Sequence, residues 1–204
     1  MLTKLAAFAL IFASATASAS ANAPEHFARP AVPDIAVQYT PTRAEVRAAL
    51  VKRRAHNLAA FHAYWTGGVY PHNSYRVGPL NVWRDENGHF CAAATMIDKD
   101  GQHELAEQTG NTNVNIRLLD VTSGPLLDWM LTSGLTIEDI DMIQAPAIMP
   151  QRVDAHTLAV EDAKLKKGYI ATEKYLAKHA AEDLDTATTR LMDHPDLARA
   201  LVAA

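Results

Sequence analysis

Residues 42–68 read TRAEVRAALVKRRAHNLAAFHAYWTGG. Thr42 and Glu45 have the spacing of a capping box, and Pro41 stands beside the first turn. Val46, Leu50, Leu58, Phe61 and Trp65 then recur at helical intervals, a stripe that predicts one long amphipathic helix. Gly67-Gly68 ends it, because glycine enters the left-handed conformation that closes many helices. A chain that starts its folded part this way is expected to be helix-dominated.

Toward the N-terminus the character changes. Pro24, Pro30, Pro33 and Pro41 fall in a stretch with little periodicity, which reads as an extended leader over 22–41. Before it, Met1-Leu2-Thr3-Lys4 is a short basic start. Leu5 to Phe12 is apolar, and Ala13 to Ala23 is almost all Ala, Ser and Thr. That order is the pattern of a secretory signal peptide over 1–21, with cleavage expected after Ala21. The apolar run is shorter than the roughly 20 residues needed to span a bilayer. The mature chain is expected to be exported, periplasmic or secreted, without a transmembrane segment.

Toward the C-terminus, Leu80-Asn81-Val82-Trp83-Arg84 alternates apolar and polar residues. Asp85-Glu86-Asn87-Gly88 is a turn, and His89-Phe90-Cys91 resumes the apolar character, so a β-hairpin is expected near 80–91. Ala92 opens a helix straight off its second strand. Shorter helices are expected over Gln102–Gln108, from Gly124-Pro125 to Leu131, and from Thr136 to about Gln144. Gly110 to Asn115 reads as a polar loop. Past Pro150, Leu158, Leu165, Tyr169 and Leu176 mark a long helix over 153–180, with Leu184–Met192 and a last short helix after His194-Pro195. The expected organisation is mainly α with a small β-hairpin. A globular domain over 42–150 is followed by a helical extension over 151–204.

The chain has 19 basic and 23 acidic residues, a formal net charge of −4, and loss of Lys4 with the leader takes it to −5. That balance gives no general attraction to nucleic acid or to an anionic membrane. On the long helix, Lys164, Lys166, Lys167, Lys174 and Lys178 read as a solvated face, since Glu161, Asp162, Glu173, Glu182 and Asp183 interrupt or flank them.

Cys91 is the only cysteine, so no internal disulfide exists. At the N-terminus of a helix the dipole lowers a thiol pKa, and His89 or His72 is at hand as a base. That makes Cys91, His89 and His72 the candidates for a thiol-dependent hydrolase or transferase. Against them, cysteine is among the most often buried residues, and an oxidising compartment consumes an exposed thiol. Among the histidines of the first half, His56, His62, His72, His89 and His103, the set His89, Cys91, His72 and His103 is the material for a metal site, but no pair has the spacing of known zinc motifs, and His56 and His62, six apart, face different sides of a helix. No cofactor is implied.

Tyr70, His72, Asn73, Tyr75 and Trp83 form the other candidate set. With Trp65 they describe a polar groove with aromatic walls, suited to a glycan or peptide. The asparagines Asn57, Asn73, Asn81, Asn111, Asn113 and Asn115 serve equally as internal ties for loop backbone. The leading reading is a non-catalytic binding or interaction domain whose partner is a protein, peptide or glycan.

One cadence runs from Arg54 to Gln144: Asn57, Pro71-x-Asn73, Asp85-x-x-Gly88-x-x-Cys91-Ala92, Asp128-Trp129, Ser133-Gly134-Leu135-Thr136 and Ile143-Gln144. It resembles a group of exported bacterial proteins with no assigned activity. The resemblance covers a little under half of the mature chain and implies a domain boundary near residue 150, with no mechanism attached.

Overall fold

The computed structural model describes residues 39–74, 78–145, 147–149 and 154–204. The expected signal peptide over 1–21 and the leader up to residue 38 lie outside the described residues. Among those described, seven α-helices run in the order α1 Arg43–Gly67, α2 Ala92–Lys99, α3 His103–Thr112, α4 Pro125–Thr132, α5 Ile137–Gln144, α6 Ala155–Met192 and α7 Pro195–Ala203. Two three-residue strands, β1 Gly78–Leu80 and β2 Ala147–Met149, complete the set with a short 3-10 turn at Leu118–Asp120. The helix-dominated class is as the sequence indicates.

The capping box of α1 is formed. Glu45 N–H donates to Thr42 Oγ1 at 3.3 Å, and Thr42 N–H donates to Glu45 Oε2 at 2.8 Å. Gly68 closes the helix at φ 72°. The same device opens α5, where Thr136 and Asp139 exchange bonds of 3.0 Å in both directions. Each cap satisfies amide groups that the first helical turn leaves without partners.

Of the expected hairpin, one isolated antiparallel bridge is present, Arg84 to Phe90, with Cys91 N–H donating to Trp83 O at 2.9 Å and Asp85 N–H to His89 O at 3.0 Å. Leu80 pairs instead with Ala147, in the antiparallel register Gly78 to Met149 and Pro79 to Ile148. Val82 and Trp83 are adjacent and both buried, so the segment is covered on both sides rather than on one. The backbone explains why the ladder stops. Trp83 N–H donates to Val114 O at 2.7 Å, so it is spent on a different segment. Two further boundaries move: α3 extends through Thr112 into the expected polar loop, and α6 runs unbroken past Ala180 to Met192.

The core lies between α1, α2, α5 and α6. Phe61, Trp83, Met96, Ile97, Trp129, Ile140, Tyr169 and Leu176 are buried in it. Tyr169 of α6 meets the edge of Phe61 at 5.6 Å and 87°, a favourable aromatic geometry. A second cluster joins Val46, Leu50 and Leu131 to Leu184, Leu191 and Ala198. The helical extension read from the sequence therefore does not stand apart: α6 packs along α1 and closes both clusters.

Arg54, in the middle of the buried face of α1, is 3% exposed. One terminal nitrogen donates to Gly134 O at 3.2 Å and Asp139 Oδ2 at 3.3 Å. The other donates to Leu176 O at 2.8 Å and Asp183 Oδ2 at 3.0 Å. The turn carrying Gly134 presses onto α1, and a Cβ there would come within 2.3 Å of Leu50 O at φ 80°. Only glycine fits. Asn57, one turn along α1, donates to Ser133 O at 2.8 Å and holds the same turn.

Removing one member of a buried ionic group leaves its partners uncompensated, at a cost of about 3–5 kcal/mol. Arg54→Ala is expected to lose that much stability in urea denaturation; a loss under ~1 kcal/mol would contradict the role given to Arg54. Burial pushes the Asp183 carboxyl above its ordinary value, the charge of Asp139 adds to the rise, and Arg54 opposes it. A native value above the unfolded one stabilises the fold in acid, and that contribution is lost as pH rises through the native value. Glu138 behaves oppositely. Its ion pair with Arg190 lowers it to about 2, so its contribution is present at neutral pH and lost in strong acid. The melting temperature of the wild type relative to Asp183→Asn is therefore expected to rise as pH is lowered from neutral toward the ordinary aspartate value of about 4. A difference that stays flat over that range would show that Asp183 does not titrate in the window.

Candidate functional site

The Asp85–Gly88 turn is built around one carboxylate. Asp85 Oδ1 accepts from the N–H groups of Asn87 and His89, both at 2.9 Å. Its Oδ2 accepts from His72 N–H at 3.2 Å and lies 3.1 Å from His89 Nδ1. Burial raises the Asp85 carboxyl, but the His89 and His72 amides and the His89 ring outweigh it, and the group lies below its ordinary value. One side chain thus fastens the Tyr70–Ser74 loop to the turn. From the loop, the His72 ring reaches Asp162 of α6 at 3.2 Å, and Asn73 donates to Gly78 O at 2.9 Å.

Two hollows flank the turn. The smaller, about 220 Å³, is lined by His72, Asn73, Ser74, Glu86, Asn87 and Leu158. The larger, about 560 Å³, is lined by Arg84, Glu86, Gly88, Glu107, Gly110, Asn111 and Val114. Asp85 belongs to both. In the larger one Arg84 spans two partners, donating to Asn111 Oδ1 at 2.7 Å and to Glu107. Glu86 accepts from Ser74 at 3.0 Å. The wall therefore offers donors and acceptors side by side on a braced backbone, which is what a polar, hydroxyl-bearing or amide-bearing ligand requires.

The structure sorts the candidates read from sequence. His72 and Asn73 border the smaller hollow. Tyr75 lies outside the described residues. Tyr70 and Trp83 are core residues rather than groove walls: Tyr70 donates its hydroxyl to Trp65 O at 2.7 Å, and the Trp83 indole N–H donates to Ala106 O at 2.8 Å. Their rings supply packing and leave the hollows without aromatic walls from these two positions. The alternation of Leu80–Arg84 does not reveal this, because it cannot show that Val82 and Trp83 are both buried.

Cys91 caps α2, with Sγ accepting from Ala94 N–H at 3.5 Å, yet it is 1% exposed. Burial pushes its thiol up to about 12, despite the amides of Ala94 and Ala93 pulling it down. The helix N-terminus does pull the thiol down through those amides, and desolvation exceeds that pull. His89 and His72 point their hydrogen bonds at Asp85 and Asp162, not at the sulfur.

The five histidines considered for metal binding each face a carboxylate. His56 lies 3.6 Å from Asp100, His62 2.9 Å from Glu173, His72 3.2 Å from Asp162, His89 3.1 Å from Asp85 and His103 2.7 Å from Asp98. His56 and His62 lie on α1, His103 on α3, and His72 and His89 on loops between them. Among the described residues, no group of three or more His, Cys, Asp or Glu side chains is placed to hold a metal ion.

Arg84, Glu86 and Glu107 are not among the site candidates read from the sequence, and Asn111 is read there only as one of several asparagines that tie loop backbone. Their only signal was the Asp85-Glu86-Asn87-Gly88 turn; Glu107 and Asn111 come from a helix twenty residues on. No family model, curated protein or solved structure matches the chain.

Native Cys91 is expected to resist iodoacetamide at pH 8 and to react fully once the chain is unfolded. Rapid labelling of the native protein would mean that the thiol is accessible and ionised.

Proposed function

We propose that this chain is an exported, non-catalytic binding domain whose ligand surface is the polar hollow beside the Asp85–Gly88 turn. The observation that supports this most is the juxtaposition of Arg84, Glu86, Glu107 and Asn111 around one open hollow of about 560 Å³. The ligand class that fits is a glycan or a short polar peptide, held by hydroxyl and amide hydrogen bonds. The acidic residues in the wall outnumber Arg84, so a neutral or cationic ligand is favoured over an anionic one.

Export rests on the charged, apolar and small-residue order of residues 1–21. The resemblance to exported bacterial proteins points the same way. The thiol-enzyme reading needs an ionised, accessible Cys91, and burial works against both conditions. The metal reading needs converging ligands, whereas the described histidines are spread among separate carboxylates.

Expression with the natural leader, followed by N-terminal sequencing of the exported product, is expected to give Asn22 as the first residue. Retention of Met1 on a cytosolic product would remove the export reading. For the ligand surface, titration of neutral oligosaccharides and short peptides against the wild type, Glu86→Ala and Asn111→Ala is the test. Each variant is expected to weaken binding by about tenfold, the value of one or two lost hydrogen bonds, with an unchanged melting temperature. Binding equally tight in both variants would place the ligand elsewhere.

A further inference from the structure

Along the sequence the α6 lysines form a solvated face interrupted by acids. The structure removes that interruption. Between residues 155 and 181 the helix carries three acids: Glu161, Asp162 and Glu173. All three are engaged along the flanks of α6. Asp162 meets His72 at 3.2 Å, Glu173 meets His62 at 2.9 Å, and Glu161 holds Lys164 at 2.7 Å. Asp183 is turned into the core against Arg54. Lys166 stands over the Trp65 ring at 6.0 Å.

What remains outward is a different set. At helical spacing, His156, Val160, Lys167, Ala171, Lys174 and Lys178 share the side opposite Tyr169 and Leu176. All six are exposed. Among the described residues, Lys167, Lys174 and Lys178 have neither an ion pair nor a hydrogen bond. They extend over about 16 Å of straight helix, and the face ends at Glu182. A chain that is acidic as a whole thus presents one row of uncompensated positive charge on a rigid element.

We propose that this outward face of α6 docks an acidic polysaccharide chain, at a surface separate from the polar hollow. Lysines in line match the repeated carboxylates of an extended polymer by charge alone. An anionic bilayer is a poorer match. Membrane-surface helices carry large apolar residues beside their basic ones, and here the only apolar members of the row are Val160 and Ala171. Nucleic acid is also a poorer match. The row has no arginine, and the nearby Tyr175 ring is stacked on His179 at 4.0 Å, so nothing in the row is set to stack on bases.

The full chain titrated with polygalacturonate at low ionic strength is expected to bind, and binding is expected to weaken steeply as salt is added. Combining Lys167→Gln, Lys174→Gln and Lys178→Gln is expected to reduce affinity by at least about tenfold, with melting temperature unchanged. The corresponding triple arginine variant is expected to bind as the wild type does. Absence of binding at low salt overturns the proposal, as does a triple glutamine variant that binds like the wild type. Tighter binding to vesicles of phosphatidylglycerol, or to single-stranded DNA, would overturn the choice of polymer. Glu86→Ala and Asn111→Ala are expected to leave this binding intact, which keeps the two surfaces distinguishable.

Discussion

Arg54 donates to two backbone carbonyls and two carboxylates, and those four acceptors belong to three separate parts of the chain: the Gly134 turn, α5 and α6. Burying a guanidinium with two carboxylates has a large desolvation cost, and an apolar side chain of similar volume would give comparable stability. What a hydrophobe would not give is register. A planar fork meets its acceptors at fixed angles, so α1 accepts α6 at one position along its length and the Ser133-Gly134 turn at another. The neighbouring glycine requirement makes that position unforgiving, since the turn backbone touches α1 where any Cβ would collide with Leu50 O. Helices can slide against one another through aliphatic packing. Here sliding would break four hydrogen bonds and leave charge unpaired in the core.

The cadence that suggested a family resemblance is largely this framework. Asn57 holds Ser133 O, Gly134 lies against α1, and Thr136 caps α5. Trp129 donates its indole N–H to Asp100 at 2.8 Å. Gln144 donates to Ile116 O and accepts from Asn81, at 2.8 and 3.0 Å. Asp85 organises the turn, and Cys91 with Ala92 starts α2. Residues of the types that catalyse reactions are here spent on satisfying backbone groups that short helices and irregular loops leave open.

The helices were legible in the sequence because each announces itself locally. Thr42 with Glu45, Thr136 with Asp139 and Gly124-Pro125 are start signals whose partners lie within one turn, and the seven-four-seven spacing of Leu158, Leu165, Tyr169 and Leu176 defines a buried face without outside help. The hairpin is less legible: alternation over five residues points to the antiparallel bridge of Arg84 and Phe90 but does not reveal that Trp83 N–H is committed to Val114, where the ladder ends. Of the two hollows beside the Asp85–Gly88 turn, the smaller is the more legible and the larger, proposed as the ligand surface, the less. His72 and Asn73 stand in the loop the sequence singled out, but Glu107 and Asn111 reach Arg84 from α3, a contact that depends on how α2 and α3 fold back. No local pattern encodes it.

The same limitation explains the reading of α6. A linear run in which lysine and acid alternate looks electrically mixed, and averaging along the sequence gives a neutral face. The helix separates them by direction. His72 lies on the loop after α1 and His62 on α1 itself, so the acids they meet belong on the flanks of α6 near those elements, and Arg54 draws Asp183 inward at the far end. Once α1 fixes the rotation of α6 in this way, the acids cannot screen Lys167, Lys174 and Lys178, which are left on the opposite side. The arrangement of charge on the surface therefore follows from the rotation of α6 that its buried Tyr169, Leu176, Leu184 and Leu191 and the buried guanidinium set, with the two histidine pairs fitting that rotation. Composition is silent on it, because the net charge counts residues and takes no account of which way each one faces.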